Sequence, residues 1–380
     1  MAQFSIFGGV GMEIYIFDKA LNMKGILGSY SSLIWRRKYS KHGDFELHCA
    51  LNSINLELLK KGNVIWKNDD DEEAGYIEYR NLKQDATGKE VLVLKGKFLT
   101  GYLDRRIIWN RLNLNTASEL AIRELINSNV INPMDTTRKI DLMALGELKN
   151  YSQSLNKQVS YKNLLETIEE IANVSELGFK TILDIQNKQM VFDVYEGLDR
   201  TANNGVNAPA IFSKEFENIL EQEYTDSLND YRNTVLVAGE GEGSDRELVS
   251  IENGQGLDRY ELFVDARDLQ STKTVNEEEV PIPIQEYRQM LEDRGISKLS
   301  EHKEIKTFDS KVNLNSNLEY GIDFNLGDLV TCTSKKWGVT INTRITEIEE
   351  VYEESGKQVN ITFGNNIPSL IDVIKREVIL

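Results

Sequence analysis

Over the first hundred residues, apolar and polar positions alternate in short runs. Residues 12–18, 31–39, 44–51, 62–68, 74–81 and 90–99 each carry this two-residue period. The runs are rich in isoleucine, valine, tyrosine and tryptophan and end at glycine, asparagine, aspartate or lysine. Such spacing predicts the strands of a barrel or sandwich. The polar stretches 69–73 and 85–89 fall between strands and read as hairpin turns.

The period changes near Asn115. Thr116 and Glu119 have the spacing of a capping box ahead of an apolar run at 120–126, which predicts a helix. A second helix is predicted from Ser160, with Tyr161, Leu164, Leu165, Ile168, Ile171 and Ala172 on one face. Residues 150–157 read as a loop or linker. Strands are predicted at 178–185 and 189–195, joined by a turn at Gln186, Asn187 and Lys188. Strand character resumes at 209–212, 220–226, 233–238, 246–251 and 260–264. A helix at 284–295 follows Pro281 and Pro283 and is expected to close at Gly295. Strands at 329–333, 339–351 and 358–364 complete the chain, the last two forming a long hairpin with its tip at 354–357.

The order is therefore mainly β with an α+β insert. Residues 1–11 form a leader, 12–110 a first β block, 111–205 the insert and 206–380 a second β block containing the helix near 284–295. In an alternative division, strands within 210–240 complete the first block. The leader lacks the basic start and the apolar length of a secretion signal, and Met12 opens the first clear strand.

Composition narrows the function classes. The 380 residues hold 61 acidic and 44 basic side chains, a net charge of −17. That balance disfavours sequence-specific DNA binding, which rests on cationic contacts to phosphate. Two cysteines, Cys49 and Cys332, make neither a disulfide scaffold nor a cysteine-based zinc site. Three histidines, His42, His48 and His302, supply no metal-binding spacing and no evident triad. No apolar run approaches the ~20 residues needed to span a bilayer, so no membrane insertion is expected.

Several motifs admit a chemical reading beside a structural one. The glycine-rich turn from Gly239 to Gly243 follows a strand, as phosphate-cradling loops do. Its intervening Glu240 and Glu242 repel anions, so a hairpin loop is expected. The run Asp69, Asp70, Asp71, Glu72 and Glu73 has hard-cation ligands but not the spacing of a calcium loop, and a solvated, edge-protecting charge run is expected. Leu-Asp-Arg occurs at 103–105, 198–200 and 257–259, with uneven spacing that defines no repeat. It reads as a recurring strand-end corner. Tyr287, Met290 and Leu291 read as core rather than as a partner stripe. Trp35, Trp66, Trp109 and Trp337 are read as packing residues ahead of a carbohydrate platform. Paired carboxylates for glycoside hydrolysis cannot be picked out among 61 acidic residues. No catalytic, cofactor or metal residue is assigned.

Long stretches resemble siphovirus tail proteins of the ReqiPepy type. They include residues 12–51, 69–82, 94–109, 160–173, 211–233, 237–243, 256–270, 320–332 and 343–365. The resemblance runs from Met12 through nearly the whole chain and leaves out the leader. It implies a hub protein at the tail tip of a long-tailed phage or prophage. Two tube-type β-barrel domains per chain, with 111–205 inserted, would let a homotrimer match a hexameric tail tube or distal tail protein. It further implies contacts with other tail-tip proteins, passage of DNA without specific binding, residence in the virion tail after synthesis in the host cytoplasm, and a non-enzymatic role. Hubs of this kind often carry a C-terminal peptidoglycan hydrolase. This sequence stops at Leu380, shortly after its terminal hairpin, and so departs from the lytic version. A cell-wall or carbohydrate-binding or -degrading module is the alternative. A tail-derived injection device would share the hub role.

Overall fold

The computed structural model describes residues 12–70, 72–84, 86–275 and 278–364. The leader, the segment after 364, Asp71 of the acidic run and Asp85 of the second predicted turn lie outside the described residues.

The predicted period-two runs of the first block are strands. They are β1 (Ile14–Phe17), β3 (Ser32–Lys38), β4 (Asp44–Ala50), β5 (Val64–Lys67), β6 (Gly75–Gln84) and β7 (Glu90–Phe98). A strand β2 (Met23–Leu27) and a short helix α1 (Ser53–Leu58), which the pattern did not predict, complete it. β3 and β4 bury every second residue, placing Leu33, Trp35, Phe45 and Leu47 in the core. Each such side chain contributes roughly 1.5–3 kcal/mol on burial. α1 is started by Asn52, whose side chain accepts from the Asn55 amide at 2.8 Å. That local cap nucleates a helix too short to show a period.

One large sheet crosses both β blocks. Its order is Ile219–Ser227, Ile305–Val312, Gly356–Gly364, Val339–Glu353, then β3, β4, β7, β6, β5, β1 and β2. The blocks join where Val339–Glu353 runs antiparallel to β3, with Glu350 opposite Trp35 and Tyr352 opposite Leu33. Leu329–Ser334 pairs with Val339–Glu353 from the other side and accepts Asp199–Arg200 and Ile211–Phe212 in parallel. The pairing is one continuous sheet and closes no barrel among the described residues. The strand Ile305–Val312 was absent from the sequence reading, although Phe308 and Val312 alternate into the core.

Between the blocks, Leu112–Ala117 pairs with Ser154–Val159, and Gly178–Asp184, Gln189–Tyr195 and Met143–Leu145 form a second small sheet. The predicted loop at 150–157 is thus strand in its second half, from Ser154. Helices α2 (Ser118–Ile126) and α3 (Leu164–Ser175) pack on these sheets and on the first block in one core, in which Val64 and Tyr76 join Ile122, Ile168 and Phe192. The expected capping box does not form. Thr116 is in the strand, and Glu119 is buried, accepting from the amides of Lys149 at 2.8 Å and Tyr151 at 3.3 Å. The folded-back segment takes the carboxylate that would have capped the helix. α3 starts at Leu164 rather than near 160, because Asn163 caps it through the Glu166 amide.

In the second block, Thr234–Ala238 lies between Leu248–Ile251 and Glu261–Asp265, and α4 (Ile284–Ser300) covers that sheet. Gly295 does not end α4. A Cβ there would lie 2.9 Å from Val237 and 3.1 Å from both Val235 and Ile251, so the glycine serves close helix–sheet approach.

Candidate functional site

Of the acidic run expected to be solvated, Asp70 and Glu73 are buried, while Asp69 and Glu72 are partly exposed and paired with cations. The β5–β6 turn points into the junction of the two β blocks, and its carboxylates meet cations that strand alternation has forced inward. In β3 the inward positions are Leu33, Trp35 and then Arg37, which is 7% exposed. In β5 the inward residue is Lys67, and in Val339–Glu353 it is Glu350, both 2% exposed. Charges placed in a core must be paired.

The pairs are specific. Lys67 Nζ lies 2.9 Å from Glu350 Oε2 and 3.0 Å from Asp69 Oδ1, and donates to the Tyr352 hydroxyl at 3.1 Å. Lys357 reaches the second oxygen of Glu350 at 2.5 Å. Asp70 is buried and accepts from Trp35 Nε1 at 2.9 Å and from the amides of Glu72 and Glu73 at 2.9 and 3.0 Å. Glu72 bridges Arg37 and Lys180, and Arg37 also donates to the Tyr320 hydroxyl. The network therefore joins the first block, the strand Gly178–Asp184 and the C-terminal strands.

Its protonation states follow from geometry. Burial tends to raise Glu350, but Lys67 and Lys357 outweigh it and hold the carboxyl down to about 2. Burial tends to lower Lys67, but Glu350, Asp70 and Asp69 lift the ammonium above its ordinary value. Glu73 is different. Burial pushes it up to about 8, and Arg37 offsets only part of that. Arg37 Nε and Glu73 Oε2 face each other at 3.9 Å, each buried without a hydrogen-bond partner. Among the described residues no group of three or more carboxylate, histidine or cysteine side chains is placed to hold a metal ion. The arrangement is an electrostatic clasp of cations, carboxylates and phenols.

The other singled-out residues lie apart. Cys49 and Cys332 are buried and unpaired in separate cores. His42 contacts Glu169 at 2.7 Å, His48 contacts Glu46 at 2.7 Å, and His302 lies 3.1 Å from Asp230. The turn at Gly239 to Gly243 links antiparallel strands, as expected, and Glu240 accepts from the Ser271 amide and hydroxyl, both at 2.8 Å. Tyr287, Met290 and Leu291 are core. Trp35 and Trp66 both donate to Asp70, whereas Trp109 and Trp337 are about half exposed, the former under Arg138. The three Leu-Asp-Arg copies do not share one backbone geometry. The first and third fall in 3-10 turns and the second in a short strand, though each arginine reaches a carboxylate. The sequence reading missed Arg37, Lys67 and Glu350. Their signal was a charge on the inward phase of an apolar alternation.

Comparison with known proteins extends this geometry. The family model described as siphovirus ReqiPepy6 Gp37-like protein matches residues 13–365. No curated protein matches significantly. Among solved structures, the 43 kDa tail protein of prophage MuSo2 from Shewanella oneidensis superposes with a TM-score of 0.57 at 12% identity, over 92% of this chain and 98% of that one. A tail protein from Neisseria meningitidis MC58 gives 0.57 at 11% identity, over 94% and 97%. The prophage tail protein gp18 of Listeria monocytogenes EGD-e gives 0.52 at 14%, over 96% and 98%. At these identities the likeness is one of fold.

Proposed function

The chain belongs to the siphovirus ReqiPepy6 Gp37-like protein family, and on that premise we propose that it is a structural component of a phage or prophage tail tip. The observation that carries this reading is the fold shared with prophage tail proteins over almost the full length of both partners, together with the family match. The role is architectural rather than catalytic, and the place is the virion tail.

In this reading three copies close around an axis and connect the tail tube or distal tail protein to other tail-tip proteins. Residues 12–110 and 206–380 supply the two tube-type modules, and 111–205 is the inserted block. The segment 111–198 contributes no strand to the large sheet and forms small sheets of its own, although Asp199–Arg200 joins the large sheet and Thr234–Ala238 also lies in a separate small sheet. The net charge of −17 suits a wall along which DNA slides without adhering. Closed rings need self-compatible surfaces related by rotation.

Mass measurement by light scattering, with and without the cognate distal tail protein, tests the assembly, and electron microscopy of purified tails tests the location. The expected result is three copies at the tip. A chain that stays monomeric with its partner and is missing from assembled tails sinks the proposal.

A further inference from the structure

A cleft of about 540 Å³ opens where the first block meets the inserted segment, well away from the ionic clasp in character. Its floor is apolar and includes Leu21, Val64 and Met190, each buried in the shared core. Its rim is cationic. Lys19, Lys61, Arg105 and Arg106 line it, against the single carboxylate of Glu78. This concentration of positive charge stands on a chain whose net charge is −17.

Lys19 and Lys61 are exposed and form no ion pair among the described residues. Arg106 spends its donors on carbonyl oxygens, Nε to Arg138 at 2.8 Å and Nη1 to Arg105 at 3.0 Å. Burial, then the like charges of Arg138 and Arg105, pull its guanidinium below the ordinary value. The Arg105 guanidinium carbon sits beside two mutually stacked rings, 4.7 Å from the Tyr76 centroid and 4.6 Å from that of Tyr102. The aromatic contact anchors the side chain while its carboxylate neighbour, Glu78, stays 3.8 Å away. A guanidinium with donors not taken up by a close carboxylate is suited to bidentate capture of one.

We propose that this cleft is a docking site for an acidic peptide segment of a partner protein, with carboxylates on the Arg105, Arg106, Lys19 and Lys61 rim and an apolar side chain on the floor. Two observations select a peptide over a nucleic acid. The floor offers apolar surface that a phosphate backbone cannot use. The net charge of −17 on the chain opposes a long polyanion, whereas a short segment feels only the charges within a Debye length of about 8–10 Å. The cleft belongs to the single chain and does not depend on trimer formation.

The test uses the full chain and a fluorescein-labelled hexapeptide alternating glutamate and leucine, read by anisotropy at low salt. Saturable binding is expected. Lys19→Glu with Lys61→Glu should weaken it at least tenfold, because both lysines are exposed and the fold tolerates the change. Lys335→Glu with Lys336→Glu, in an exposed turn outside the cleft, should leave it unchanged. Replacing the peptide's leucines by serine should also weaken it. Absence of saturable binding, equal binding by the Lys19/Lys61 variant, or tighter binding of a 12-nucleotide DNA would each overturn the proposal.

Discussion

Lys67 and Glu350 lie 283 residues apart in sequence, and their charged atoms meet at 2.9 Å with both side chains almost wholly buried. One comes from β5 of the first block, the other from the strand that joins the two blocks. The contact is made only when the sheet is complete, so it reports the folded junction. Removing one partner leaves the other buried charge with only a partly exposed counter-ion, Asp69 for Lys67 or Lys357 for Glu350, whereas removing both takes the two buried charges away together. Lys67→Met or Glu350→Met alone should cost about 3–5 kcal/mol in urea unfolding. The double variant should recover most of that loss, since Lys357, about one-third exposed, can return to water. Single losses that simply add in the double variant would show the pair is not coupled.

Glu73 predicts an unusual pH dependence. Its folded carboxyl is raised from 4.5 to about 8. A group raised in this way contributes stability that is fully present below its unfolded value and lost as pH rises through the folded one. Stability should therefore fall between about pH 4.5 and 8 by the Glu73 contribution. Glu73→Gln, which keeps the neutral form, should flatten this slope and be the more stable protein at pH 8 and above. Glu350, held at about 2, acts in the opposite sense, and its contribution is lost only as pH falls from 4.5 towards 2. Urea midpoints taken across pH for both proteins check the two windows, and an unchanged slope in the glutamine variant refutes the assignment.

Gly295 predicts a conflict between helix propensity and packing. In an exposed helix, replacing glycine would gain about 1 kcal/mol. Here the added carbon meets Val237 at 2.9 Å. Gly295→Leu should destabilise by about 1–3 kcal/mol through overpacking. Thermal unfolding of the variant decides the sign, and a stabilised protein would mean the helix and sheet separate freely.

Tyr39 gathers three segments. Its hydroxyl donates to the Glu176 carbonyl at 2.9 Å and accepts from the Gly197 amide at 3.3 Å. Its ring covers Gly327, whose φ is +92° and whose added Cβ would fall 2.3 Å from the ring. Tyr39→Phe should cost about 0.5–1.5 kcal/mol. Gly327→Ala should cost more, through both strain and collision, and part of that cost should vanish in a Tyr39→Ala background. Equal costs in both backgrounds would remove the ring contact from the account.

What the sequence determined by itself was local and periodic. The strands β1 and β3 to β7, the amphipathic face of α3 and the terminal hairpin were legible, because a two-residue or 3.6-residue period records which side of an element is buried. The tail-protein likeness was legible for a different reason, since it rests on long ordered stretches rather than on any single element. Tertiary structure decided everything that depends on distant partners. Glu119 left its helix cap for the amides of 149–151, Gly295 continued a helix because a sheet lay against it, and two β blocks merged into one sheet through β3. Asp69, Asp70, Glu72 and Glu73 became part of an ionic clasp for the same reason. A carboxylate's surroundings, and so whether it is solvated or paired, are set by charges that only folding brings within about 4 Å, and sequence spacing carries no record of them.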